Sequence, residues 1–322
     1  MSAGIIVTRP IPDPAVTLLR EAGEVWIPDE DCALTAEQLR SAVAGAEAII
    51  TMFHDRIDQA ILDAAGPRLR IVANVAVGYD NIDVAACARR GIVVTNTPGV
   101  LVDATADLTI GLMLAVMRHI VEGDHLLRIA GTWSWSMSFG LGPSLRRQRL
   151  GIVGFGQIGR AVAERAEAFG MEVVYSSRSG RSHQERPSQQ RLDLNELLRT
   201  SRVVSLHCPL TPETHHLINR AAFSAMRKDA FLINAARGGI VDDQALVDAL
   251  ARGEIHGAAL DVFETEPTVH PLLREMKNVV MTPHLGSATG EARAAMALAA
   301  AQNVVEVLSG RDPSSPVRLT AW

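Results

Sequence analysis

Leu150-Gly151-Ile152-Val153-Gly154-Phe155-Gly156-Gln157-Ile158-Gly159-Arg160, near the middle of the 322-residue chain, decides how the rest is read. Gly154, Gly156 and Gly159 fall in G-x-G-x-x-G spacing, between an apolar run at 150–153 that reads as a strand and a run at 158–169 that reads as a helix. In that setting the first glycine allows a tight turn, the second lets backbone approach a pyrophosphate, and the third lets helix and strand pack closely. The amides of the helix N-terminus then face the phosphates. The spacing alone is weak, and a tight turn that binds nothing is the competing reading; the strand-turn-helix context argues against it. Phe155, Gln157 and Ile158 complete the expected cofactor-binding turn.

Downstream, strands are expected at 150–153, 172–175, 203–206, 231–234, 257–260 and 279–281, with helices filling the intervals. Upstream, β-branched or apolar runs at 5–7, 24–27, 48–51, 69–73 and 92–94 alternate with helical patterns at 13–22, 35–43 and 58–65, where Thr35 is a plausible cap. Strict alternation of this kind argues for parallel sheets covered on both faces, so the expected class is α/β with two doubly wound domains. One long apolar helix is expected over 103–119, after the breaker Pro98-Gly99, and an alanine-rich helix over 291–308. Residues 131–142, with Trp133, Trp135 and Phe139 among Gly and Ser, read as an irregular aromatic loop that serves as a partner surface, a lid or a simple hydrophobic anchor.

Composition narrows the functional classes. Apolar residues make up 48% and charged residues 21%, which excludes wholesale disorder, and the length suits two cores. With 31 Lys+Arg against 36 Asp+Glu the formal charge is −5 and no basic block stands out, so neither nucleic acid nor an anionic membrane is an expected partner. The three cysteines, Cys32, Cys87 and Cys208, fit no disulfide framework, and the start reads as no signal peptide; a cytoplasmic protein is expected.

Cofactor choice should be legible about 20 residues past the glycines, where an Asp or Glu would accept from the ribose 2′-hydroxyl of NAD. The chain reads Tyr175-Ser176-Ser177-Arg178-Ser179-Gly180-Arg181, without a carboxylate. Ser177, Arg178 and Ser179, with Arg181, suit a 2′-phosphate, so NADP(H) is the expected cofactor with NAD(H) possible; the competing reading is a solvated basic loop. Further on, Asn234-Ala235-Ala236-Arg237-Gly238-Gly239 puts an arginine at the carboxyl end of a strand, where α/β ligands bind, and Glu266 and His284 also occupy post-strand loops.

These stretches resemble the D-isomer-specific 2-hydroxyacid dehydrogenases, and most of all their glyoxylate/hydroxypyruvate reductase branch. The resemblance spans nearly the whole chain, through Val75-Ala76-Val77-Gly78-Tyr79-Asp80-Asn81-Ile82-Asp83, Thr95-Asn96-Thr97-Pro98, Asp103-Ala104-Thr105-Ala106-Asp107-Leu108 and His284-Leu285-Gly286-Ser287-Ala288-Thr289. It implies a discontinuous flavodoxin-like substrate domain (1–100 with 286–322), an inserted Rossmann-type cofactor domain (101–285) and a homodimer built on the cofactor domains. It also implies Arg237, Glu266 and His284 as the catalytic set, with Val77 and Gly78 as the carboxylate-binding turn. Thr105, Cys208, Pro209, Ala235, Ala236, Asp261 and Gly286 would line the cofactor, Asp261 holding its carboxamide. In that branch an aromatic residue of the partner closes the active site, which makes Trp133 and Trp135 candidates.

The chemistry agrees with this set. Reducing a 2-keto acid needs a cation for the carboxylate and carbonyl, and a proton donor for the developing alkoxide. Arg237 would supply the first and His284 the second, while Glu266, hydrogen-bonded to the imidazole, would orient it and favour its charged form. His207, His215, His216, His256 and His270 read as structural or exposed, and His215-His216 has no carboxylate or cysteine at metal spacing, so no metal is expected. The expected activity is reduction of glyoxylate to glycolate and of hydroxypyruvate to D-glycerate. The alternatives are a dehydrogenase for a bulkier keto acid or phosphoglycerate, and a non-catalytic NAD(P)-sensing protein on the same fold.

Overall fold

The structure is a computed structural model and describes residues 4–178 and 189–317. The first strands and helices alternate as β1 (Ile5–Val7), α1 (Asp13–Ala22), β2 (Val25–Trp26), α2 (Ala36–Ala42), β3 (Ala48–Thr51), α3 (Gln59–Ala65), β4 (Ile71–Asn74), α4 (Val84–Arg89) and β5 (Val93–Thr95). Local chemistry fixes several starts. Thr35 caps α2 in a reciprocal box with Gln38, and Asp58 caps α3 through the Ala60 and Ile61 amides.

The chain continues as α5 (Val102–Met117), α6 (Ile120–Ala130), β6 (Arg149–Val153), α7 (Gln157–Ala168), β7 (Glu172–Ser176), β8 (Gln189–Arg191), α8 (Leu194–Thr200), β9 (Val203–Leu206), α9 (Arg220–Ala225), β10 (Phe231–Asn234), α10 (Asp243–Ala251), β11 (Gly257–Leu260), β12 (Val279–Met281) and α11 (Gly290–Leu308). It divides into two compact units, 1–101 with 288–322 and 102–287.

In the first unit all strands are parallel, in the order β2-β1-β3-β4-β5. This is the flavodoxin-like doubly wound order. Ile6, Ile49, Val72 and Val94 face one side, with Leu39, Ile61, Leu62 and Cys87 from α2 to α4. On α11 the alanines Ala292, Ala297, Ala300 and Ala301 are buried and let it lie close to α1 and β4.

In the second unit seven parallel strands run β12-β11-β10-β9-β6-β7-β8. Counted within the unit this is 3-2-1-4-5-6 with one strand added, the Rossmann order, and the strand order reverses between β6 and β9. Alternate residues feed two cores. Phe231 and Ile233 pack with α5 and α7, whereas Leu232 joins Leu246 and Leu250 of α10. Strands buried on both faces read as the unbroken apolar runs seen in the sequence.

Three elements were not anticipated, namely α4, α6 and β8. The helix expected over 103–119 is α5, Val102–Met117; α6 follows it after His119, whose φ of 53° is left-handed, and the two are bent by 61°. No single helix among the described residues is long and apolar enough to cross a membrane. Short α4 and polar β8, Gln189-Gln190-Arg191, carry little apolar periodicity and escape the pattern.

Candidate active site

Parallel strands put every post-strand loop of the second unit at one edge, so the loops after β6, β10, β11 and β12 gather there. They hold, in that order, the glycine turn, Arg237, Glu266 and His284. His284 Nδ1 and Glu266 Oε2 are 2.8 Å apart, with side chains 21% and 27% exposed. The other Glu266 oxygen accepts from Phe263 N–H at 3.0 Å. Burial works to raise the Glu266 carboxyl, but the hydrogen bond and charge of His284, the Phe263 amide and the Arg237 charge together bring it below its ordinary value.

The backbone aims these groups. His284 has φ 53°, a left-handed conformation tolerated by His better than by most side chains, and its N–H donates to Asp261 O at 2.8 Å. Asp261 is fully buried and braces the same loop: Oδ1 accepts from Thr282 Oγ1 and Leu285 N at 2.6 Å, and Oδ2 from Gly286 N at 2.8 Å. Burial raises its carboxyl above the ordinary value against these bonds. Thr105 Oγ1 donates to Gly286 O at 3.0 Å. Buried Asn234 sets the Arg237 loop, accepting from Ala236 N at 3.1 Å and donating to Arg237 O at 3.0 Å. A Cβ on Gly238 would lie 1.9 Å from Phe263 C and O, so only glycine lets the Arg237 loop pass beneath the segment leading to Glu266.

The glycine turn fits a dinucleotide. Gly154 has φ 94°, and a Cβ there would lie 2.4 Å from Cys208 N, because the His207-Cys208-Pro209 segment after β9 crosses over it. Gly156 precedes α7 with no side-chain cap and nothing near its Cβ position, which leaves helix amides and open space for a phosphate. Phe155 stacks on Tyr175 at 4.0 Å, and Gln157 and Ile158 open α7. Burial pulls the His207 imidazole down to about 4 and pushes the Cys208 thiol up to about 11, so both are neutral near pH 7.

The sequences and the solved structures of other proteins bear on what this edge does. Residues 110–286 match the family "D-isomer specific 2-hydroxyacid dehydrogenase, NAD binding domain". The chain is 45% identical to the glyoxylate reductase of Pyrococcus furiosus, over 98% of this chain and 96% of that one. The chain belongs to the D-isomer-specific 2-hydroxyacid dehydrogenases. Among solved structures, one from Thermus thermophilus superposes with TM-score 0.91 at 46% identity, covering 98% and 99% of the two chains. An NADPH-dependent glyoxylate/hydroxypyruvate reductase of Sinorhizobium meliloti, solved with NADP and malonate, gives TM-score 0.86 at 35% identity, covering 98% and 97%.

The protein is therefore an oxidoreductase acting on CH–OH groups with a nicotinamide cofactor. At the end of β7 in this dehydrogenase an open cleft is lined by Ser176, Ser177, Arg191, Leu192 and Asp193. Arg178 lies 3.5 Å from Glu213, and Arg191 Nη2 donates to Ser177 O at 2.6 Å. Neither Glu213 nor Arg191 was marked by motif spacing. Ser179 and Arg181 lie outside the described residues.

In the first unit of the dehydrogenase, the Val77-Gly78 turn after β4 is held by asparagines: Asn96 Nδ2 donates to Val77 O at 2.8 Å and Asn74 Nδ2 to Gly78 O at 2.7 Å. His215-His216 does meet a carboxylate, contrary to the sequence expectation, because Glu264 arrives from the loop after β11. That pairing spans 48 residues and left no local signal.

Proposed function

We propose that this dehydrogenase reduces glyoxylate to glycolate and hydroxypyruvate to D-glycerate, with NADPH preferred over NADH. The observation that carries the reading is the His284–Glu266 pair, with Arg237 close enough for its charge to act on Glu266, on the sheet edge that also holds the glycine turn. The reductase names of the Pyrococcus and Sinorhizobium relatives support the substrate class.

The glycine turn of Gly154 and Gly156 and the first amides of α7 would hold the nicotinamide cofactor, which when bound would supply the hydride for the keto carbon. Arg237 holds the substrate carboxylate and draws electron density toward the carbonyl oxygen. His284 presents Nε2 to that oxygen and gives it a proton as negative charge develops there. Glu266 accepts the hydrogen bond from Nδ1–H, which fixes the ring's orientation and leaves Nε2 for the substrate. Asp261 and Thr105 keep the 282–286 loop in place. The preference for NADPH is supported by Ser177 and Arg178 at the end of β7, where an NAD-binding carboxylate would otherwise stand.

The same proposal includes a homodimer. None of the α6 residues is buried, and Ile129, Trp135, Met137 and Leu141 are 72%, 72%, 81% and 71% exposed. Large apolar side chains left this exposed are the kind of surface a second copy covers.

Loss of reduced-nicotinamide absorbance with glyoxylate, hydroxypyruvate, pyruvate and 2-ketobutyrate, each with NADPH and with NADH, tests the reading. The two named substrates with NADPH should give the highest kcat/KM. Equal kcat/KM with NADH would overturn the cofactor preference, and no turnover by protein that binds cofactor would overturn the reductase assignment.

A further inference from the structure

We propose that His215, His216 and Glu264 form a binding site for one divalent transition-metal cation of the borderline class, such as Zn2+, Ni2+ or Cu2+. One ligand atom from each of the three lies within 4.8 Å of the others, and His216 Nε2 is 2.6 Å from Glu264 Oε1. The two imidazoles lie face to face, with ring centroids 4.0 Å apart and planes 26° from parallel. Neighbouring side chains in an extended chain point to opposite faces. Here His216 adopts φ 50°, which turns its ring alongside that of His215. With metal–nitrogen and metal–oxygen bonds of about 2.0–2.2 Å, donors on one tetrahedral ion stand ~3.3 Å apart. Small side-chain rotations bring the present spread to that value.

The three groups are held by the backbone around them. His215 N donates to Thr211 O and His216 N to Gly239 O, both at 2.9 Å, and Thr214 Oγ1 donates to Pro209 O at 2.6 Å to close the turn. The second Glu264 oxygen faces Asp243 N at 3.4 Å. His215 and Glu264 are exposed and His216 is half-buried, so an ion has access from solvent and water can complete its shell. Two imidazoles with one carboxylate favour zinc, nickel and copper over magnesium and calcium, which prefer all-oxygen sites. An ion here displaces the proton between His216 and Glu264 and joins three segments: the 211–217 turn, the loop of Arg237 through Gly239 O, and the segment leading to Glu266. It is a clamp on loops that carry the proposed catalytic groups, with ligands separate from Arg237, Glu266 and His284.

The test uses the full chain with any affinity tag removed, stripped with chelator and titrated with ZnCl2 by calorimetry. One equivalent should bind per chain. His215→Gln and Glu264→Gln should each weaken that binding at least about tenfold while leaving the circular dichroism spectrum unchanged. Cys32→Ser, which removes an exposed thiol, should bind as the parent does. Cu2+ in place of zinc should show nitrogen hyperfine coupling that is reduced in His215→Gln, and His216→Asn, which keeps a residue tolerant of positive φ, gives a second reading of the same ligand pair. Absence of saturable zinc binding, or parent-like affinity in both His215→Gln and Glu264→Gln, would overturn the site.

Discussion

His284 owes its aim to constraints on different atoms: a left-handed backbone, a hydrogen bond from its N–H to Asp261 O, and Glu266 on Nδ1. His284→Asn should therefore lower kcat for glyoxylate about 10²–10⁴-fold with little change in cofactor affinity, read by steady-state kinetics and cofactor titration. Arg237→Ala should lower kcat/KM for the keto acid by ~10–100-fold while cofactor affinity stays near its original value; equal weakening of both would contradict the substrate role. On the proposed NADPH reading Glu213, 3.5 Å from Arg178, shares it with the 2′-phosphate, so Glu213→Gln should raise kcat/KM with NADPH by about two- to fivefold, the range of an exposed ion pair, and leave NADH unaffected. Arg237, Glu266 and His284 were legible because each follows an apolar strand in a chain with several matching motifs in order. Glu213, Arg191 and Glu264 were not, since what matters in them is a partner distant in sequence and brought near by folding. The bracing by Asp261 was equally silent: an Asp after a strand looks the same whether it faces solvent or takes bonds from its neighbouring loop.

Helices and strands were legible wherever burial leaves a period. The buried strands appear as short apolar runs, and Thr35 and Asp58 announce their helices. The helix expected over 103–119 matches α5 closely, whereas α6, set off by a left-handed His119, buries no residue and so leaves no buried period to read. Capping at the far end of α11 is another contact hidden from local reading: Arg70 donates to the carbonyls of Val307 and Leu308, two of the last acceptors of the helix. Arg70→Ala should cost about 1 kcal/mol and lower Tm by ~3 °C, measured by calorimetry. No change in Tm would mean that water satisfies those carbonyls equally well.

For the whole molecule, α/β class followed from alternation, whereas the discontinuity of the first unit was available only through family resemblance, because no local property of residues 290–308 says which sheet they join. The proposed homodimer rests on the exposed apolar side chains between Ile120 and Leu141. Sedimentation of the parent should give a dimer, and Ile129→Asp with Trp135→Ser should shift it toward monomer; an unshifted dimer would place the interface elsewhere.

The place of α11 also sets an order of events during synthesis. The 102–287 unit is one uninterrupted stretch, so it has everything it needs while the chain is still growing. The sheet of β1 to β5 emerges first yet waits, on the order of ten seconds or more at ordinary elongation rates, for the helix that covers β3 and β4. Until then the surface of β3 and β4 that α11 covers lacks its partner, and a sheet made before the 102–287 unit is completed after it.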